Sequence, residues 1–220
     1  MSQSSEFPPA IAPPGQAKTD SGGLRAAGKA RSRSRLLQAA RHLFAEHGYE
    51  GATMREIAAA AGLSTGAVFA SFSDKADLFN AVLIEDSDVQ GRLMRDAAAG
   101  GGAVDQRLLE VFQVAYDFHL GELQLLRAAI ALSWSQGLTG DLGDRPIRDG
   151  FSAIIREILA EAARRGELKR GTNTALIVET LWEVYVSSYR CAVFAGWDRD
   201  RLVRRMGDQI DLVLAGQRAG

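Results

Sequence analysis

The residues best placed to do chemistry lie between Thr53 and Phe72, TMREIAAAAGLSTGAVFASF, and they offer hydrogen bonding and close approach rather than bond making. Thr53 and Glu56 have capping-box spacing: the hydroxyl accepts from the N–H of Glu56 while the carboxylate accepts from the N–H of Thr53, which fixes the start of a helix. Ser64 caps a second helix, and Leu63 before it is placed to staple onto Val68. Between them Gly62 provides the positive φ of a tight turn. A small residue, a glycine four later and an apolar residue six beyond that (Ala58, Gly62, Val68), with Ile57 facing inward, is the internal packing of a helix-turn-helix, whose second helix enters a major groove. An ordinary helical hairpin shares this spacing, so the neighbouring residues decide.

Those neighbours are basic. The chain of 220 residues has a net charge of -1 and a pI near 6.3, yet residues 24–80 carry +3 and residues 81–220 carry -3. This segregation suits a small nucleic-acid-binding unit on a larger body. From Leu24 to Arg35 basic residues accumulate without acids, either as a solvated helix start or as an arm touching phosphates or a minor groove. Residues 1–23 hold four of the five prolines and are expected to be a disordered extension.

The first folded helix is expected over about 31–47, with Leu36, Ala40, Leu43, Phe44 and His47 on one face. Gly48 supplies its stop and Tyr49 packs back on Phe44. His42 and His47 have no ligand set around them. Lys75 sits in the first turn of another helix, where a cation opposes the helix dipole unless an anion such as a DNA phosphate also sits there.

Residues Arg35–Leu83, RLLQAARHLFAEHGYEGATMREIAAAAGLSTGAVFASFSDKADLFNAVL, resemble the DNA-binding domain of the TetR family of bacterial transcriptional regulators. The resemblance rests on LFAEHGY closing the first helix, TMREIA opening the second, AGLSTGAVF across the turn, and Phe72 and Lys75 stepping into the fourth. It implies DNA contacts at Thr53 and Arg55, along the recognition helix at Ser64, Thr65, Gly66, Ala67, Phe69 and Ser71, and at Lys75. Two positions depart from the family's habit: Thr65 stands where Lys or Arg is common, and Phe69 where Tyr is common. Ala70 and Ser71 follow where a Tyr or His pair is frequent. Base reading is therefore expected to use small side chains, thymine methyls and DNA shape more than Arg–guanine pairs.

Beyond Phe79 the pattern is helical throughout, with helices expected over about 74–98, 104–120, 122–136, 145–165, 174–194 and 199–216, separated by glycine breaks. An all-α protein of about nine helices follows: a three-helix helix-turn-helix domain over 24–80 and a larger helical ligand-binding and dimerisation domain over 81–220. The helix at 174–194 has little polar face and the last helix carries a stripe of Leu202, Met206, Ile210 and Val213, so pairing both with a second copy covers them economically. Tyr189 and Val193 belong to the same expected dimer interface, and the resemblance likewise implies a homodimer. Phe112, Tyr116, His119, Trp134, Phe151, Trp182 and Tyr185 are candidates for a small-molecule pocket, which the resemblance implies and whose composition favours an apolar or aromatic effector.

No nucleophile–base pair, metal-ligand cluster or phosphate loop is legible, so no catalytic residue, metal or cofactor is expected; Glu179 and Glu183 share a face without a histidine motif. The single cysteine, Cys191, reads as a small apolar residue. No apolar run reaches the roughly 18 residues of a membrane span, and no secretion signal is legible, so a cytoplasmic protein is expected. The expected function is a repressor that binds a palindromic double-stranded DNA operator and is released by its effector. The alternative is a helical enzyme or carrier with a vestigial DNA-binding domain, and a third reading is an architectural protein binding DNA without sequence preference.

Overall fold

The computed structural model describes residues 21–135 and 144–219. Among them the chain forms nine α-helices: α1 (Ser21–Gly51), α2 (Met54–Ala60), α3 (Thr65–Phe69), α4 (Lys75–Ala98), α5 (Val104–Leu120), α6 (Leu123–Ser135), α7 (Asp144–Arg164), α8 (Thr174–Ala195) and α9 (Arg199–Leu214). The sole β feature among these residues is an isolated antiparallel bridge between Leu168 and Arg218. No described helix is long and apolar enough to cross a membrane.

The helices gather around two apolar clusters. The first contains Leu36, Phe44, Ile57, Ala58, Val68, Phe72, Leu78 and Phe79, and it also takes in Leu125 and Ala128 of α6. Phe44 packs edge-on against Phe79 at 5.0 Å and stacks on Tyr49 at 5.9 Å, a small aromatic nucleus under the helix-turn-helix. The second contains Met94 of α4, Leu108, Phe112 and Tyr116 of α5, Ile154, Ile155 and Ile158 of α7, and the inner faces of α8 and α9. Because α4 gives Leu78, Phe79 and Val82 to one cluster and Met94 to the other, it is the beam that both are built on.

α1 begins earlier than its apolar stripe suggests. Residues 21–23, expected to be part of a disordered extension, are helical here, while residues 1–20 of that extension lie outside the described residues. The reason is composition: the last proline of the N-terminal segment is Pro14, and Arg25–Arg35 is built of Ala, Arg, Lys and Ser with one glycine, mostly good helix formers that need no apolar partner to set their φ and ψ. The helical path breaks at Gly48, whose φ of 72° and ψ of 173° are open to glycine alone at low cost.

Candidate nucleic-acid interface and buried polar cluster

The helix-turn-helix is assembled by local hydrogen bonds. The Thr53 hydroxyl takes the N–H of Glu56 at 3.2 Å, while Glu56 Oε2 accepts from the Thr53 N–H at 3.0 Å and from its hydroxyl at 2.7 Å. The Thr53 hydroxyl, and then its N–H, hold the Glu56 carboxyl below its ordinary pKa. Ala61 caps the C-terminus of α2, and Gly62 turns the chain with a φ of 65°. Leu63 N–H then returns to the Ala58 carbonyl at 2.9 Å, and Ser64 Oγ caps α3 by accepting from Ala67 N–H at 3.2 Å. Ala58 and Val68 are both buried, so α2 and α3 cross where the spacing of small and apolar residues requires.

This leaves the outer face of α3 bare. Ser64, Thr65, Gly66, Ala67, Phe69 and Ser71 are exposed, as are Thr53 and Arg55 at the start of α2. Phe69 is 53% exposed, unusual for a large apolar side chain that has a core available beside it. Ser71 Oγ donates back to the Ala67 carbonyl at 3.2 Å.

Lys75 is less free than its neighbours. Its Nζ donates to the Tyr49 carbonyl at 2.7 Å and to the Glu50 carbonyl at 3.4 Å, and it stands 4.4 Å from the centroid of the Tyr49 ring. The Glu50 carboxylate is 3.8 Å away. The ammonium thus closes the carbonyl end of α1, which settles a cation in the otherwise unfavourable first turn of α4.

Several of the aromatic residues expected to line a pocket pack on one another. Phe112, Tyr116 and Tyr185 are buried, Phe151 stacks on Tyr185 at 5.0 Å, and Trp182 leans on Phe151 at 5.1 Å. The side chain of Trp134 lies outside the described residues. Beside this aromatic core, between α4 and α7, is a cavity of about 60 Å³ lined by Gln90, Met94, Arg95, Ile147, Phe151 and Ile154 among others. That is room for a few waters, well short of the roughly 300 Å³ at which ligand pockets begin.

At the heart of the second cluster is a polar group that the sequence reading missed. Gln90 Nε2, with two hydrogens to give, has three acceptors in reach: Tyr185 Oη at 2.8 Å, His119 Nδ1 at 2.9 Å and the Ala115 carbonyl at 3.3 Å. Tyr189 Oη lies 2.7 Å from the same His119 Nδ1, and Tyr116 and Ser188 hydroxyls pair at 2.8 Å. The Gln90 amide nitrogen can only donate, so Nδ1 accepts and the neutral imidazole carries its proton on Nε2. Burial drives the His119 pKa down to about 4 and the Tyr185 phenol up beyond the reach of ordinary titration. Gln90 is detectable in hindsight: Leu78, Val82, Asp86, Gln90 and Met94 repeat every four residues along the inner face of α4, and two of the five are polar.

The expected dimer interface requires correction. Leu202, Met206 and Ile210 are buried within the subunit, where α9 packs along α5, and Tyr189 is buried in the polar cluster; none is open to a second copy. Val193 and Val213 are half-buried. A regular apolar stripe shows that a helix has an inner face without saying which neighbour meets it. The exposed large apolar groups on these helices are Leu176, Val186 and Phe194 of α8 and Leu212 of α9.

Comparison with known proteins agrees with this geometry. The model of the tetR family of bacterial regulatory proteins matches residues 36–82. The HTH-type transcriptional repressor AcnR of Corynebacterium glutamicum is 54% identical over 56 residues, 26% of this chain and only 30% of the length of that relative. The HTH-type transcriptional regulator UidR of Escherichia coli is 22% identical over 156 residues, 70% of this chain and 77% of UidR. Among solved structures, the transcriptional regulator FadR from Bacillus subtilis, in complex with stearoyl-CoA, superposes with a TM-score of 0.66 at 20% identity, covering 83% of this chain and 98% of FadR. The fatty acid degradation regulator FadR from Bacillus halodurans gives 0.67 at 20% identity, covering 80% and 96%. Those likenesses extend the shared fold over most of the chain, beyond the helix-turn-helix into the helical body. The helix-turn-helix, capped at Thr53 and Ser64 and turned at Gly62, thus lies within a stretch, residues 36–82, that matches the tetR family of bacterial regulatory proteins.

Proposed function

We propose that this protein is a homodimeric, sequence-specific regulator of transcription that binds a palindromic double-stranded DNA operator as a repressor and is released by a small apolar or aromatic effector. The observation that carries the reading is α3, a helix capped and packed from behind whose outer face is left entirely to solvent. Thr65 and Ser71 offer hydroxyls to base edges or phosphates, Gly66 and Ala67 permit close approach, and Phe69 presents an apolar ring to thymine methyls or sugars. Arg55 and Lys75 address phosphates. With two of its three N–H groups on the α1 carbonyls, Lys75 keeps one for DNA.

The working division is a DNA-binding unit over 24–80 and an effector and dimerisation unit over 81–220, with α4 passing through the boundary. In the dimer, Leu176, Val186 and Phe194 fall within roughly 80° of arc on α8 at 3.6 residues per turn, a face free for a second copy. Recognition helices of such a pair must lie about 34 to 36 Å apart to enter successive major grooves. The effector acts by separating the packed rings of Phe112, Phe151, Trp182 and Tyr185, a space that is closed here and that an acyl or aromatic group fills only by moving α4 or α7. The FadR–stearoyl-CoA complex supports an apolar chain as a class to test first. Such an effector releases DNA only if it binds the non-DNA state better.

The test is selection of bound duplexes from a random pool by the purified protein at physiological salt. An enriched palindrome with half-sites about one helical turn apart supports the reading. Binding without sequence preference identifies an architectural protein instead, and absence of any binding by folded dimer turns attention to the helical body alone.

A further inference from the structure

The N-terminal half of α1 is a projecting, uniformly cationic rod. Leu36 is the first described residue of α1 in either apolar cluster, so the stretch from Ala26 to Arg35, about 14 Å of helix at 1.5 Å per residue, contributes nothing to the core. No acid occurs in α1 before Glu46. Lys29, Arg31, Arg33 and Arg35 are all exposed, and none forms an ion pair with a described carboxylate. Spaced four apart, Lys29 and Arg33 form one row along the helix and Arg31 and Arg35 a second.

The rod starts at the helix-turn-helix. The Arg33 guanidinium lies 4.7 Å from the centroid of the Phe72 ring, at the turn that follows α3. Arg35 Nη1 lies 3.9 Å from where a Cβ on Gly62 would stand, at the turn that precedes α3. The two arginines therefore bracket the recognition helix at its two ends, and the remaining cations lead away from it. A row of cations continuous with a groove-reading helix, free of acids and of apolar anchors, has the chemistry of a phosphate contact and lacks that of a protein interface core.

We infer that the basic N-terminal part of α1, through Lys29, Arg31, Arg33 and Arg35, binds the DNA phosphate backbone beside the half-site read by α3, adding affinity and footprint without base preference. This rests on the DNA-binding reading above. The cations hold the backbone by charge and counterion release, so their contribution weakens with added salt while the sequence read by α3 stays the same.

The experiment compares full-length protein with the double variant Lys29→Gln/Arg31→Gln on the duplex enriched by selection, measuring affinity across a range of salt. Both positions are outside the core, so thermal melting should match the unsubstituted protein. A charge-matched control, Lys169→Gln/Arg170→Gln, removes two cations from the α7–α8 connection. The expected result is a salt slope shallower by about 0.9 for each lost phosphate contact, close to two in all, with the same enriched sequence and a shortened hydroxyl-radical footprint outside the palindrome. An unchanged slope and footprint, or an equal fall in the control, overturns the inference while leaving the regulator reading intact. If the unsubstituted protein binds no duplex at all, both fall together.

Discussion

Arg41 of α1 and Asp86 of α4 meet between the two apolar clusters, with Arg41 Nη2 3.1 Å from Asp86 Oδ1 and the aspartate side chain only 7% exposed. Glu122, at the entry to α6, lies 3.6 Å from the same guanidinium nitrogen. One arginine thus ties α1 to both α4 and the start of α6, the helix whose Leu125 and Ala128 enter the core beneath the helix-turn-helix. Burial raises the Asp86 pKa to about 6 from its ordinary 3.8, against the downward pull of Arg41, and Glu122 and Glu85 add to the rise.

Folding therefore takes up a proton at Asp86 between 3.8 and about 6; its contribution is full below 3.8 and is lost as pH rises through 6. His119 acts in the opposite sense. Held down to about 4 from 6.5 by burial, it contributes stability that is full above 6.5 and is lost as pH falls through 4. Asp86→Asn should lose stability relative to the unsubstituted protein on going from about pH 7 to about pH 5, and His119→Gln should gain, both read from urea denaturation. Identical pH responses in all three proteins would refute the assignment.

Ser64→Ala removes the side-chain acceptor for Ala67 N–H and should cost about 1 kcal/mol of folding stability, with Ser64→Gly costing less. Thermal melting and denaturant midpoints measure both. Because α3 has only the cap and Val68 to hold it, DNA affinity should fall by more than the global stability loss explains.

Lys75→Ala deletes a charged donor to the Tyr49 carbonyl and a cation over its ring, and should destabilise by about 1 to 2 kcal/mol. Lys75→Arg keeps the charge and should recover part of the loss. A variant that melts like the unsubstituted protein would show that the clasp does not contribute in solution.

Phe194→Asp and Leu176→Asp place charge on the exposed face of α8 and should shift the protein toward monomer in sedimentation without unfolding it. Met206→Ala should do the reverse: about 2 to 5 kcal/mol less stable, from a cavity in the core, with assembly changed only through stability. If Met206→Ala dissociates a dimer while leaving the fold at full stability, α9 faces the partner after all.

Local chemistry was the legible part. Thr53, Gly62 and Ser64 specify caps and a turn from partners three or four residues away, and the structure realises each of them. Helix existence was legible too, since α5 and α8 begin where the pattern starts and the glycine breaks end them. What escaped depends on partners remote in sequence. Lys75 meets Tyr49 across 26 positions and Gln90 meets Tyr185 across 95, so neither pairing leaves a periodic trace. The stripe of Leu202, Met206 and Ile210 was misplaced for the same reason, because hydrophobic spacing identifies a buried face but carries no label for α5 or for another subunit. Asp86 was passed over because a lone acid in a charged helix reads as solvated until its position on the inner face is counted.

The bond from Lys75 to the Tyr49 carbonyl joins the residue that enters α4 to the residue just past the break in α1, so that α2 and α3 hang within a closed ring of chain. A ring shut in this way moves as one piece. In the proposed dimer, an effector signal from the helical body would then reach the recognition helix as a change in its tilt and separation from its twin, while the surface it presents to a groove would keep its shape. Under the proposed function, affinity would be switched off without altering which sequence is read, and a single operator preference would persist through every state of the proposed effector site.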